Sequence, residues 1–497
     1  MRRPPCFAVA GVLATMVRAP TPQVGPSLLV EPRYTASGIW DVQDTLVVAP
    51  FDMAPGDDAV ALSLMWAHVM RNGGNGLVTR TVLSIPLDNW RGTTAIDVER
   101  DGDIDVIAVA SGREPLLLLN DGRASFAVAP VSPRFPGSPA SAYRVAAADV
   151  DGDGFEDLLI GAVTNFQSQL WRNDGTGRFV DITATHLPVW SATVADIQPS
   201  DLDGDGDIDF ALAQGYGVGV RDHNAILLNQ GGGRFTYQPL VSTRQTHSWA
   251  AVADFTGDGL PDIVFGNPDA AAEYWINMGG GQFFDGTPTV TNVFRAFEGA
   301  AGDIDGDGWP DLVTTSFQSG ARMELYLNQR GHGFVHVPGG VAQFGVGFNA
   351  SNIELRDMDG DGDLDAVARS PNPSAPERAF WVLPNTTRHV LTDATVQPGG
   401  TYRMTLWARS GDLVVPALAT THVETNLGPL GTLGLDPASL VALPAISMTA
   451  WSHTLTIPVP PTPWLIGRRI WAQAVVVTPA QPLAPRLTNW LDTEVVR

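Results

Sequence analysis

Short apolar runs of four to six residues recur along most of the chain, each followed by a strongly polar segment and then by another apolar run. Val145 to Ala148 and Leu158 to Ala162 flank one such segment; Ala250 to Ala253 and Ile263 to Gly266 flank another. Runs this short, rich in β-branched residues and bounded by Gly, Asp and Asn, predict β-strands. After a variable gap a third run ends in Asn, passes through a glycine-containing turn, and meets an aromatic six residues beyond that Asn. The pairs are Asn120 and Phe126, Asn173 and Phe179, Asn229 and Phe235, Asn277 and Phe283, and Asn328 and Phe334. Asn followed by glycine between apolar runs is hairpin chemistry, because glycine takes positive φ without steric cost. One repeat therefore reads strand, polar loop, strand, variable loop, strand, hairpin, strand. Such a four-stranded unit of about 50 residues predicts a propeller blade.

The polar loop has nine residues and occurs six times: DVERDGDID from Asp97, DVDGDGFED from Asp149, DLDGDGDID from Asp201, DFTGDGLPD from Asp254, DIDGDGWPD from Asp303 and DMDGDGDLD from Asp357. A degenerate copy precedes them, with a loop around Asp52 to Asp58, Asn72 at the hairpin position and Val78 in place of the aromatic. At the other end Asn385 stands at the hairpin position with Leu391 beyond it. The expected fold is all-β, a seven-bladed β-propeller over residues 30–391 followed by a C-terminal β-sandwich over 392–497. In that second region the acidic repeat vanishes and segments such as Thr401 to Ala408 and Arg469 to Val477 dominate.

Carboxylates at positions 1, 3, 5 and 9 of one short loop repel one another unless a cation sits between them. The donors are hard oxygens with no Cys or His, which selects calcium over zinc or copper. Glycine at position 6, as at Gly102, Gly154, Gly206, Gly259, Gly308 and Gly362, allows the sharp turn that lets position 7 offer its carbonyl. The expected ligands, position by position, are these. The first loop supplies Asp97, Glu99, Asp101, Asp103 and Asp105; the second Asp149, Asp151, Asp153, Phe155 and Asp157; the third Asp201, Asp203, Asp205, Asp207 and Asp209. The fourth supplies Asp254, Thr256, Asp258, Leu260 and Asp262; the fifth Asp303, Asp305, Asp307, Trp309 and Asp311; the sixth Asp357, Asp359, Asp361, Asp363 and Asp365. Four to six calcium ions are expected. Thr256 is a weaker donor, Glu99 with Arg100 departs from the pattern, and the degenerate first copy is expected to hold no metal.

Strand, D-x-D-G-D-G-x-x-D, strand and N-x-G-x-G-x-F resemble FG-GAP/VCBS repeats, which build the calcium-binding β-propellers of integrin α-subunit heads and of many secreted bacterial proteins. The resemblance covers about Leu46 to Leu391 and implies both the fold and the metal. It further implies that partners dock on the face opposite the ions.

The chain carries 53 acidic against 30 basic residues, for a net charge of -23. All the basic residues are arginine. Such a balance excludes a general nucleic-acid binder, since phosphate contacts need clustered cations. About half of the acidic residues fall within the six loops, so the acidity chiefly records metal chemistry. Met1-Arg2-Arg3 followed by the apolar run Cys6 to Val17 reads as a signal peptide within residues 1–25, with an ordinary apolar first strand as the alternative. No apolar stretch is long enough for a transmembrane helix, and Cys6 is the one cysteine. A secreted, cell-surface or periplasmic monomer is expected.

The expected function is non-catalytic binding of an extracellular protein or glycan by the loops opposite the metal. Aromatic and arginine residues are the usual anchors, and Phe166, Trp190, Tyr216, Arg221, Trp249, Phe294, Arg295, Phe317 and Arg322 fall in those loops. The alternative is a polysaccharide lyase or hydrolase, with Arg144, Asp196 and Glu298 at the channel mouth. The chain has no HExxH or GxSxG motif, and His332 with His336 forms only a pair.

Overall fold

A computed structural model describes the chain from Tyr34 to Val496, apart from residues 38–41, 53, 55–56, 64, 73–77, 130–133, 164, 216–221, 243–246, 269, 288–295, 306–307, 317–321, 338–350, 359–362, 370–378, 384, 386–388, 393–394, 409–411, 427–431, 449–451, 463–464, 478–485 and 489–490. The signal-peptide expectation falls outside the described residues. The chain divides into two compact units, one over 29–359 and 364–384, the other chiefly over 385–497.

In the first unit the described residues form seven four-stranded antiparallel sheets. Blade one comprises Val42–Ala49, Asp58–Ser63, Trp66–Asn72 and Val78–Ser84. The third blade comprises Ala142–Ala148, Asp157–Ala162, Gln169–Asn173 and Phe179–Asp181, and the second, fourth, fifth and sixth repeat the same order. In every hairpin the Asn lies directly across from the residue six beyond it, as in Asn120↔Phe126 and Asn328↔Phe334. The second strand of each blade begins on the last Asp of its loop, and in the first six blades the third ends on the hairpin Asn. Both chemical landmarks therefore lie at the same end of the blade.

The innermost strand of each sheet packs against that of the next, and Val42–Ala49 packs against Ser351–Arg356, so the sheets close into a β-propeller. Core clusters straddle neighbouring blades. Trp249, Phe255 and Tyr274 of the fifth pack with Leu312, Tyr326 and Phe334 of the sixth, and Leu46, Val48 and Met70 of the first pack with Met358, Val367 and Val382 of the seventh. A single sheet cannot bury both of its apolar faces alone, so the repeats are stable only as a closed set.

One expectation about the last blade is corrected. Its outer strand is not formed by the stretch after Asn385, because His389–Thr392 pairs with Thr401–Trp407 in the second unit. Tyr34–Ser37 from the N-terminal end takes that place, antiparallel to Ala379–Leu383. Repeat counting missed this because a four-residue strand carries no signature of its own.

In the second unit a three-stranded sheet of His389–Thr392, Thr401–Trp407 and Ser452–Pro458 faces a larger sheet whose centre is Leu413–Ala419 beside Arg469–Val477. Tyr402, Met404 and Leu406 from the first share one core with Val414, Ala472, Ala474 and Val476 from the second. That is a β-sandwich. The described helix Thr183–His186 is one turn long, and no described helix is long and apolar enough to cross a membrane.

Candidate metal centres

Strand direction decides what meets at each end of the ring. First-to-second loops and third-to-fourth hairpins share one face, while second-to-third loops and blade connections share the other. Every acidic loop therefore opens on the same face.

Position 6 turns as the sequence requires. Gly154, Gly206, Gly259 and Gly308 have φ between 88° and 95°, in the left-handed region that glycine adopts freely. The turn aims each glycine N–H back at position 1: Gly154 donates to Asp149 Oδ2 at 2.8 Å, Gly206 to Asp201 at 3.1 Å, Gly259 to Asp254 at 2.8 Å and Gly308 to Asp303 at 2.8 Å. Position 1 is thus oriented by the backbone of its own loop.

Position 9 is buried and held twice. Asp209 Oδ1 accepts the N–H of Asn229 at 2.7 Å and Oδ2 accepts that of Leu202 at 2.8 Å. Asp157 is held in the same way by Asn173 and Val150, and Asp311 by Asn328 and Ile304. Carboxylate oxygens of Asp149, Asp151 and Asp157 come within 4.8 Å of one another, as do those of Asp201, Asp203 and Asp209 and those of Asp303, Asp305 and Asp311. Burial first, and the neighbouring acids with it, push Asp157 and Asp209 up to about 7. Burial and neighbouring carboxylates likewise hold Asp311 well above the carboxylate range. Three converging hard oxygens that repel one another suit a divalent cation of calcium's type.

Several expected ligands are placed differently. The position 5 carboxylates, Asp153 and Asp205, accept the N–H of the residue two ahead and are not part of the triads. Glu99 turns away: its Oε1 meets Arg134 Nη1 at 2.8 Å. Arg100 takes a positive φ of 55° and its guanidinium lies over the Phe155 ring. Thr256 Oγ1 is buried beside the position 9 carboxylate of Asp262. Asp307, Asp359 and Asp361 lie outside the described residues.

One feature of the site was missed from the sequence. The side-chain amides of six hairpin Asn residues donate to the carbonyl of loop position 2 in the preceding blade. Asn173 reaches Val98 at 3.0 Å, Asn229 reaches Val150 at 2.7 Å, Asn277 reaches Leu202 at 2.8 Å and Asn328 reaches Phe255 at 2.9 Å. Asn120 reaches Phe51 at 2.7 Å, and Asn72 closes the circle onto Met358 of the seventh blade. The signal was available, since Asp58 and Asn72 persist in the first blade where the carboxylates of positions 1 and 5 are lost. Their pairing, with the Asn72 N–H on Asp58 Oδ1 at 2.6 Å, has a packing role of its own.

The residues expected on the opposite face divide sharply. Phe166 is 44% exposed, whereas Trp249 is 1% and Trp190 9% exposed. Both tryptophans are corrected to core residues: Trp190 stacks on Tyr237 at 5.4 Å, and Trp249 fills the seam between the fifth and sixth blades. Tyr216, Arg221, Phe294, Arg295 and Phe317 lie outside the described residues, and for Arg322 only the backbone pairing with Ser316 is described. Arg144 donates to the Arg91 carbonyl and lies over Tyr143. Asp196 accepts the N–H of Ala250 and the amide of Gln198. His336 pairs with Glu324, while the His332 N–H closes its hairpin on Gln329.

These sheets and acidic loops define a β-propeller of the acidic-loop type. The model of the FG-GAP-like repeat matches residues 97–160, 201–265, 254–314 and 303–368, so these stretches carry FG-GAP-like repeats. No curated protein matches it. Two crystal structures of BBS1N in complex with ARL6DN, soaked with mercury and with lead, are 12% and 11% identical to it. Each alignment covers 73% of this chain and 98% of that one, with TM-scores of 0.46 and 0.44.

Proposed function

We propose that this chain is an exported, calcium-stabilised propeller that binds an extracellular protein or glycan, without catalysis, through the face opposite its acidic loops. In this reading calcium neutralises the carboxylate triads and so ties the first strand of a blade to the second. Binding falls to the other end of the blades, where loop sequence is free to vary without disturbing the metal.

The observation that carries the reading is a cleft on the second blade with a volume of about 360 Å³, walled by Leu87, Asp88, Trp90, Arg113, Glu114 and Phe135. The second-to-third loop and both adjoining blade connections build it. Leu87 is 65% exposed, and Arg113 meets Asp88 at 3.0 Å, so an apolar wall stands beside a charged pair, as in many recognition sites. The catalytic alternative draws no support from Arg144 and Asp196, whose polar atoms are engaged by neighbouring backbone.

The test is a glycan array and a binding screen against purified extracellular proteins, with Leu87→Asp and Arg113→Glu as variants. Loss of binding in both, with full binding by Asp153→Asn on the metal face, is the expected result. Binding that survives both substitutions would overturn the assignment to this face.

A further inference from the structure

The first two blades depart from the acidic pattern, and each holds an arginine against the carboxylate at loop position 3. With Asp58 at position 9 of the first loop, position 3 is Asp52, and positions 1 and 5 are Pro50 and Ala54. Two of the three triad carboxylates therefore remain. Asp52 Oδ2 receives two donors from one guanidinium, Arg71 Nη2 at 2.8 Å and Nε at 3.2 Å. The Asp52 side chain is only 6% exposed, and its other oxygen accepts the Ala54 N–H at 2.8 Å. Three N–H donors thus engage one buried carboxylate.

The third blade supplies an internal comparison. Arg71 immediately precedes the hairpin Asn72, and Arg172 immediately precedes Asn173. Arg172 Nη1 approaches Asp151 Oδ2, again position 3, but only to 3.9 Å. There Asp149 and Asp157 complete the triad. The same arginine position thus stands off where the acidic set is whole and closes in where it is broken. In the second blade this position is Leu119, and the charge comes instead from Arg134, which holds Glu99 and also reaches the Gly177 carbonyl in the third blade.

We infer that in blades one and two arginine replaces the metal, Arg71 pairing with Asp52 and Arg134 with Glu99, so that ions bind only from the third blade onward. A guanidinium is a permanent cation with a planar array of donors, which suits it to the task. Arg134 joins the second blade to the third, whereas Arg71 lies beside the seam where the ring closes. Asn72 there bonds to Met358, and Arg356 meets Asp57 at 3.4 Å.

The inference rests on the calcium reading, and the experiment separates the two. Native mass spectrometry of the full chain in calcium should count at most five ions; six or seven would overturn the inference. Hydrogen exchange with and without EDTA should show lost protection in loops 149–157, 201–209 and 303–311, and unchanged exchange at the Ala54 and Asn72 amides. Loss at those two amides would also overturn it. Arg71→Met should lower the melting temperature by the same amount in calcium and in EDTA, with Arg71→Lys falling between it and the wild type. If chelation moves no loop at all, the calcium reading fails while the Arg71 melts still decide the pairing. Silent Arg71→Met melts would defeat the arginine's role.

Discussion

Trp249 stands directly across the ladder from Gly266, and a Cβ on Gly266 would come within 1.6 Å of the indole nitrogen. Gly299 of the next blade makes room on the other side, with its own Cβ position 2.7 Å from the ring. The indole thus fills a slot between two blades that two glycines open. This placement turns an apparent recognition aromatic into a structural wedge.

Trp249→Ala should therefore destabilise the propeller by about 3–5 kcal/mol, the range for large-to-small changes in a core. Gly266→Ala should also destabilise it, by expelling the indole. Phe166→Ala, at an exposed site, should stay within about 0.5 kcal/mol. Urea unfolding of the three variants checks the order, and a silent Trp249→Ala would contradict the burial.

Removal of the metal should lower the melting temperature by many degrees. A ligand present at 100 times its Kd stabilises the folded state by about 2.7 kcal/mol per site, and three triads are complete among the described residues. Calorimetry in calcium and in EDTA checks this. Superimposable melts would remove calcium from the account.

Asn229 carries the stitch between the third and fourth blades. Asn229→Ala removes the donor to the Val150 carbonyl and leaves that acceptor without its bond, at an expected cost of about 1–3 kcal/mol. The loss should persist in EDTA, because the bond joins backbone to side chain without an ion. Denaturant melts in both conditions decide it; a loss seen only with calcium would make the stitch an accessory of the metal.

His68 is 3% exposed, and neither ring nitrogen has a hydrogen-bond partner among the described residues. Burial, and next the Arg80 charge, lower it to about 4 from the usual 6.5. Folding therefore favours the neutral ring. The stability this lends is whole above pH 6.5 and is lost as pH falls through about 4. Between about pH 7.5 and pH 4 the wild type should lose more stability than His68→Leu. Melting temperatures that fall in parallel would contradict the assignment.

Period, loop and hairpin were legible along the chain because each is a local property. Gly154 and its relatives turn the loop wherever it stands, and the spacing from Asn to aromatic is the hairpin register itself. Burial of Trp190 and Trp249 was not legible, because the glycine or tyrosine that receives each ring comes from another strand. The diversion of Glu99 likewise depended on Arg134, which is remote in sequence. Alternation within a loop likewise does not reveal which oxygens converge and which face backbone N–H groups.

The amino-acid sequence by itself determined the blade, its acidic loop and the hard-oxygen chemistry of that loop, since residue type and spacing over nine positions suffice for these. Tertiary structure alone decided how the ring closes, with Tyr34–Ser37 completing the last sheet and Asn72 reaching Met358. It also decided which loops keep converging carboxylates and which hold an arginine. Both are questions of what a distant segment brings to a given point, and contact across hundreds of residues leaves no periodic trace in the chain.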